Sequence, residues 1–188
     1  MFKPGPITLQ RGALRLQPMV DQDIPWLVEL ARQNEQALAG LEGAVRPDWY
    51  RQALAEQAEG RALVFTVRLA EQIVGTSRYA GFMPHLPALE LAGTWLDGEQ
   101  HGTGLNTMIK HLMLTQAFAA WRMVRVQLSC AASDLRAQRS IEKLGAYPEG
   151  LLRNHRRLAD GRLDDTLVYS ITDEEWPTVR QRLESAFR

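Results

Sequence analysis

The sequence predicts an α/β fold: a central mixed sheet of about seven strands flanked by helices. Three observations predict it. Strand-like and helix-like runs alternate in the order β-α-α-β-β-β-α-β-α-β-β-α. Two pairs of strand-like runs are separated only by short turn signals, so each pair returns antiparallel. One central strand leads through a glycine loop directly into an amphipathic helix, so the sheet carries helical crossovers as well as hairpins. At 188 residues the chain is sized for one compact domain spanning residues 1–188, with no linker or repeat.

Ile7 to Met19 reads as a first strand, with Gly12 marking a turn. Asp21 or Asp23 is placed to cap the next helix, and Pro25 falls in its first turn, where a missing amide hydrogen does no harm. Trp26, Leu27, Leu30 and Ala31 then repeat at helical spacing. A second helix is predicted from Pro47 to Glu59, ended by Gly60. The runs from Ala62 to Val67 and from Ile73 to Tyr79, joined by Ala70-Glu71-Gln72, form a hairpin, and Leu89 to Leu96 is a third central strand. Thr107 to Trp121 is a helix with a buried face, and Val124 to Leu128 is a strand. Asp134 to Leu144 is a helix stopped by Gly145. Strands near Pro148 to Leu158 and Leu163 to Ile171 flank the turn Ala159-Asp160-Gly161, and Asp173-Glu174-Glu175-Trp176 opens the last helix.

Composition excludes several function classes. Lys plus Arg equals Asp plus Glu at 22 each, so no overall field draws the chain to nucleic acid or to an anionic membrane. No apolar run approaches the roughly 18 residues of a membrane span. The N-terminal segment lacks the apolar core of a signal peptide, and Cys130 is the one cysteine, so the expected location is cytoplasmic. His85, His101, His111 and His155 have no spacing that assembles a metal site, and no bound metal is expected.

The segment that carries chemistry is the loop His101-Gly102-Thr103-Gly104-Leu105-Asn106. Two glycines permit tight turns and let a bulky anion approach the backbone, and the first amides of the following helix lack intrahelical acceptors at the positive end of its dipole. A diphosphate suits that end, with Thr103 and Asn106 as further donors. There is no Gly-Lys-Ser/Thr ending and no Gly-x-Gly-x-x-Gly, since Thr107 stands at the third glycine position, which argues against the nucleoside-triphosphatase and dinucleotide loops.

Trp95-Leu96 before the loop, His-Gly-Thr-Gly-Leu-Asn within it, and Arg139-Ser140-Ile141-Glu142-Lys143-Leu144-Gly145-Ala146 beyond it closely resemble the GNAT superfamily of acetyl-CoA-dependent N-acetyltransferases. Within that superfamily the chain is similar to the branch of ribosomal-protein N-terminal (RimJ/RimL-like) acetyltransferases. The resemblance runs on through residues 150–155 and 165–170 to Trp176. It implies a GNAT-like fold with splayed central strands, the pantetheine arm of acetyl-CoA lying in the gap, and backbone groups of Thr94, Trp95 and Leu96 pairing with that arm. The Leu96 amide would polarise the thioester carbonyl as the oxyanion donor. His101 to Asn106 would hold the pyrophosphate, Asp134 and Ala137 would lie beside the arm, and Arg139, with Arg136, would reach the 3′-phosphate.

Acetyl transfer to an amine needs a neutral amine, stabilisation of the developing oxyanion and a proton for the departing thiolate. Glu90 matches the central-strand glutamate of the branch and is the candidate base. The chain departs from the family at three positions. Glu99 stands three residues before the first glycine, where Gln or Arg is usual, and is expected to point outward. Asp134 replaces the usual asparagine. Ile141 replaces the tyrosine that serves many relatives as the acid, and neither Tyr147 nor Ser140 nearby is a convincing substitute. Trp26, Ser77, Arg78 and Tyr79, with Glu90, are the candidate acceptor-pocket residues, next to the apolar loop of residues 81–87. The activity expected is direct transfer to a primary amine, either a protein N-terminal α-amine or a small molecule. The alternative is a non-catalytic acyl-CoA-binding sensor or assembly module. A homodimer stays open.

Overall fold

The computed structural model describes residues 4–35, 38, 41–158 and 161–185. In chain order the elements are β1 (Leu9–Arg11), β2 (Leu14–Pro18), α1 (Ile24–Gln33), α2 (Pro47–Ala58), β3 (Leu63–Leu69), β4 (Gln72–Ala80), β5 (Ala88–Leu96), α3 (Leu105–Thr115), β6 (Arg125–Ala131), α4 (Leu135–Leu144), β7 (Tyr147–Arg157), β8 (Leu163–Thr172) and α5 (Trp176–Ser185). They form one eight-stranded mixed sheet in the order β1-β2-β3-β4-β5-β6-β8-β7. The single first strand of the sequence reading is two strands. At Gly12, φ 57°, the chain reverses and Arg11 pairs with Leu14, which accounts for the count of eight rather than about seven.

The sheet separates two apolar cores. Leu27, Val28, Ala31, Tyr50 and Ala53 of α1 and α2 pack on one face against Val64 and Trp95, while Ile109, Met113, Ile141, Leu144, Val179 and Leu183 of α3, α4 and α5 pack on the other against Phe65, Val67, Leu91 and Leu128. Strand β3 contributes to both cores, which explains its run of apolar residues on both faces, Leu63, Val64, Phe65 and Val67; the polar Thr66 and Arg68 are both taken up by Asp23. A polar strap crosses the far end of the sheet: Arg125 of β6 pairs with Glu149 of β7, and Ser170 of β8 donates to the same carboxylate at 2.8 Å. The Arg125 guanidinium holds the Glu149 carboxyl below the usual carboxylate range. Ala159 and Asp160 of the expected turn lie outside the described residues, while Gly161 has the left-handed φ of 85° that such a turn requires.

Two local readings change. Asp23 does not cap α1: its carboxylate accepts from Thr66 Oγ1 and from Arg68 Nη2, both at 2.7 Å. A carboxylate buried at that depth takes the charged partner on the strand beneath it rather than a helix amide. The loop helix begins at Leu105, two residues earlier than expected, and continues past Thr115 as a π-helical turn, Gln116–Ala120.

What positions the site is the central break. Strands β5 and β6 run parallel and pair only from Ala88–Arg125 to Leu91–Leu128; beyond those pairs they diverge. Between β4 and β5 the register slips, so that Gly93 and Thr94 together oppose Ser77. Gly93 occupies this bulge at φ 57°, bending β5 away from its parallel neighbour.

Candidate active site

The glycine loop is built from its backbone upward. Asp97 accepts from the Glu99 amide at 3.3 Å, and the Gly98 amide donates to Asn34 Oδ1 at 2.7 Å, which ties the loop to the end of α1. Gly102 and Gly104 take φ values of 78° and 87°, and a Cβ at either would meet nothing within 4 Å. Both glycines therefore serve the backbone turn rather than relieve crowding. The Met108 amide closes the first helical bond onto the Gly104 carbonyl at 3.1 Å. The amides of Asn106 and Thr107 precede that bond, at the positive end of α3.

Not every loop residue faces outward. Thr103 Oγ1 donates to the Gln100 carbonyl at 2.8 Å and accepts from the Leu105 amide at 3.3 Å. The Leu105 side chain is buried in the core. Thr103 and Leu105 thus form the loop's own scaffold and stand apart from the cavity wall, contrary to their expected role as cofactor contacts. Glu99 is exposed and outside that wall.

The cavity, about 890 Å³, runs from the loop along the gap between β5 and β6. His101, Gly102, Gly104 and Asn106 line one end, Thr94, Trp95 and Leu96 one side, and Asp134, Ala137 and Arg139 the opposite side. Asn106 Nδ2 donates to Ser140 Oγ at 2.9 Å, locking α3 to α4, and its buried Oδ1 has no partner among the described residues. Asp134 caps α4, accepting from the Ala137 amide at 2.9 Å. Arg136, Lys143, Arg156 and Arg157 also reach the wall, so a chain of zero net charge has a cationic cavity. Arg136 Nη1 lies 3.3 Å from His101 Nδ1.

At the far end Glu90 is half-buried and accepts from Ser129 Oγ at 2.6 Å. Of three consecutive acceptor-pocket candidates only Arg78 lines the cavity. Arg78 pairs with Glu56 at 3.3 Å, and its guanidinium lies 5.9 Å from the ring centre of Trp49, which also lines the wall. Ser77 and Tyr79 point the other way: the Tyr79 hydroxyl donates to the Met113 carbonyl at 2.7 Å, and Ser77 Oγ shares a 2.7 Å bond with Thr94 Oγ1. Strand alternation forbids all three from sharing a wall. Trp26 is corrected as well. It is 71% exposed and absent from the cavity wall, because the buried stripe of α1 consists of Ile24, Leu27, Val28 and Ala31.

The Leu96 assignment meets a physical limit. Asp97 N donates to Val74 O at 2.8 Å, so by alternation the Leu96 amide faces away from β4, into the gap. Six residues of extended strand separate Glu90 from Leu96, roughly 20 Å. Thr94 is two residues nearer to Glu90 along the same strand. The amide of Thr94, at the bulge, lies nearer the Glu90 end, which leaves Leu96 beside the stretch of the cavity closer to the glycine loop.

One residue escaped the sequence reading. Lys110 on α3 is 6% exposed, lines the cavity, and donates from Nζ to Thr94 Oγ1 at 2.6 Å. Burial lowers its pKa to about 8, against an opposing pull from Glu90. Its signal was present: Asn106 and Lys110 are four apart, so the lysine lies one turn below the loop on the same helix face. The other proton-donor candidates fare worse. Ile141 is buried and has no proton to give, Tyr147 is 65% exposed and away from the wall, and Ser140, whose Oγ accepts from Asn106, is an alcohol and a far weaker acid than an ammonium. Cys130 lines the cavity, but burial raises its thiol to about 11, so it is neutral near pH 7 and a poor nucleophile.

Residues 13–147 match the family model described as the acetyltransferase (GNAT) domain. No curated protein matches the chain. Among solved structures, a T. thermophilus protein assigned as an acetyltransferase is 29% identical, with a TM-score of 0.83 over 100% of both chains. RimJ of Mycobacterium smegmatis, solved with a CoA disulfide, is 24% identical, with a TM-score of 0.80 over 98% of this chain and 94% of that one. The RimL ribosomal L7/L12 α-N-protein acetyltransferase, solved with coenzyme A, is 15% identical, with a TM-score of 0.74 over 88% of this chain and 98% of that one. At such identities the last two speak for the fold alone.

Proposed function

The chain belongs to the GNAT acetyltransferase family, and from that premise we propose that it moves the acetyl group of acetyl-CoA directly onto a primary amine, a protein N-terminal α-amine or a small molecule. The observation that carries the reading is a continuous cavity joining the glycine loop at the start of α3, the gap between β5 and β6, and Glu90. The residues present fit acetyl-CoA. The open left-handed glycines and the Asn106 and Thr107 amides suit its pyrophosphate, and the cationic wall from α4 and β7 suits the 3′-phosphate. Asn106 Oδ1, buried without a partner among the described residues, suits a donor on the arm. Bound there, acetyl-CoA supplies an activated acyl group.

The protein's own groups do the rest. Glu90, kept in place by Ser129, takes the proton that the amine loses on attack, directly or through one water. The Thr94 amide at the bulge is proposed to face the negative charge developing on the thioester oxygen, while Trp95 and Leu96 hold the arm nearer the loop. Arg78, braced by Glu56 and Trp49, forms the acceptor side. The neutral Cys130 thiol favours direct transfer over an acyl-enzyme. A cytoplasmic location and the absence of a nucleic-acid partner belong to the same reading, supported by the lone thiol and zero net charge. The test is incubation with acetyl-CoA and a panel of N-terminal peptides and small amines, read as thiol release. Turnover with at least one primary amine is expected, and tight acetyl-CoA binding without any turnover overturns the transfer.

A further inference from the structure

We infer that Lys110 is the proton donor to the sulfur that leaves during acetyl transfer, held in position by Thr94. The inference rests on the proposed reaction, and it fills the role that Ile141 cannot. Three observations on this chain carry it. Lys110 is a cation at 6% exposure whose side-chain hydrogen bond to Thr94 Oγ1, at 2.6 Å, leaves further ammonium hydrogens to donate. Its contact lies at the bulge, where β5 and β6 have parted, so it enters the cavity from α3, while Glu90 enters from the face of the sheet that also carries Ala92 of β5 and, paired with it, Arg78 of β4. Base and acid thus approach from opposite faces of the sheet, which lets one proton leave the nitrogen while another reaches the sulfur.

The balance closes within the chain's own groups. As the C–N bond forms, Glu90 takes a proton from the nitrogen. As the C–S bond breaks and its electron pair passes to sulfur, Lys110 gives one ammonium proton to that sulfur and becomes a neutral amine. Water returns a proton to Lys110 and removes one from Glu90, so the cycle is proton-neutral. A lysine with a pKa of about 8 is mostly protonated at pH 7, yet gives up its proton more readily than an exposed one at 10.5. Glu90 is the charge that acts on it from β5; Cys130 of β6 and Asp134, Arg139 and Lys143 of the α4 segment share the cavity wall.

The test compares the wild type with Lys110→Arg, which keeps the charge and cannot release a proton near neutrality, and with Lys110→Met. For Lys110→Arg, kcat is expected to fall roughly 10²- to 10⁴-fold with acetyl-CoA affinity little changed. The wild-type decline of kcat as pH rises through about 8 is expected to vanish in this variant. A second readout needs no turnover: the thiol of bound coenzyme A, titrated by its thiolate absorbance, should ionise at lower pH in the wild type than in Lys110→Met. Wild-type kcat in Lys110→Arg overturns the assignment, as does an identical thiol titration in wild type and Lys110→Met. Failure of the wild type to acetylate any amine overturns the transfer reading instead, and the thiol titration still tests Lys110.

Discussion

Glu90 and Ser129 sit on neighbouring strands beyond the reach of local sequence logic, 39 positions apart yet joined by a 2.6 Å bond. At the scale of single residues this bond orients the carboxylate, so its two partners should behave differently when changed. Glu90→Gln keeps the shape and removes the basicity; kcat is expected to drop roughly 10²- to 10⁴-fold while acetyl-CoA affinity holds. Ser129→Ala should cost less, since it frees the carboxylate without removing it. Steady-state rates and cofactor titration on both variants check this, and an unchanged rate in Glu90→Gln removes the base. Glu90 was legible because it matched a family position. Lys110 was only half legible: its spacing from Asn106 places it on the loop's face of the helix, but nothing in the sequence shows that it is buried until the facing strand is in place.

At the scale of elements, the glycines divide by physical cause. Gly104 has a left-handed φ with open space around it, so Gly104→Ala should lose only the conformational cost, roughly 1–2 kcal/mol. Acetyl-CoA affinity should fall with it, because the start of α3 shifts. Gly75 is different: a Cβ there would lie 2.1 Å from the Trp95 carbonyl oxygen and 2.9 Å from the Leu96 Cα, both backbone atoms. Gly75→Ala should therefore cost clearly more, by prying β4 from β5 beside the gap. Urea denaturation of the two variants ranks them, and equal losses would refute the distinction. Asp134→Ala, which removes the α4 cap, should cost about 1 kcal/mol by the same measurement. The glycine loop and the α4 cap were readable in advance because each is a property of adjacent residues. The bulge at Gly93 and Thr94 was not, since it exists only as a mismatch between two strands.

At the scale of the whole molecule, the buried cation beneath the cavity sets a pH dependence. Lys110 ionises at about 8 when folded against 10.5 in the reference state, so between those values the unfolded chain binds more protons and stability rises with pH. Tyr50, Tyr79 and Tyr169, whose phenols are raised by burial, act in the opposite sense above pH 10. The comparison with Lys110→Met isolates the lysine. That variant should be more stable than the wild type near pH 7, and its advantage should shrink as pH climbs from 8 toward 10, as measured by urea denaturation at each pH. A constant difference would show that burial does not penalise the ammonium. A neutral chain has a cationic cavity because folding brings the basic residues of α4 and of the β7 run from His155 to Arg157 to the cavity wall, while acidic clusters such as Asp173-Glu174-Glu175 lie elsewhere.

Much was written in the chain itself. The order of elements, the hairpins, the loop with its two glycines and the capped helix after β6 all follow from periodicity, turn chemistry and neighbouring side chains, which act over a few residues. Wider matters were open until strands and helices met. Ser77, Arg78 and Tyr79 were equivalent candidates until the pleat sent Arg78 to the cavity and the other two into the core. Trp26 is exposed while Trp49 lines the cavity, and the Thr94 amide is proposed in place of Leu96 only because of the bulge between two strands. Lys110 acquired a chemical role only by being buried against Thr94, since desolvation depends on what surrounds a charge and not on its neighbours in sequence.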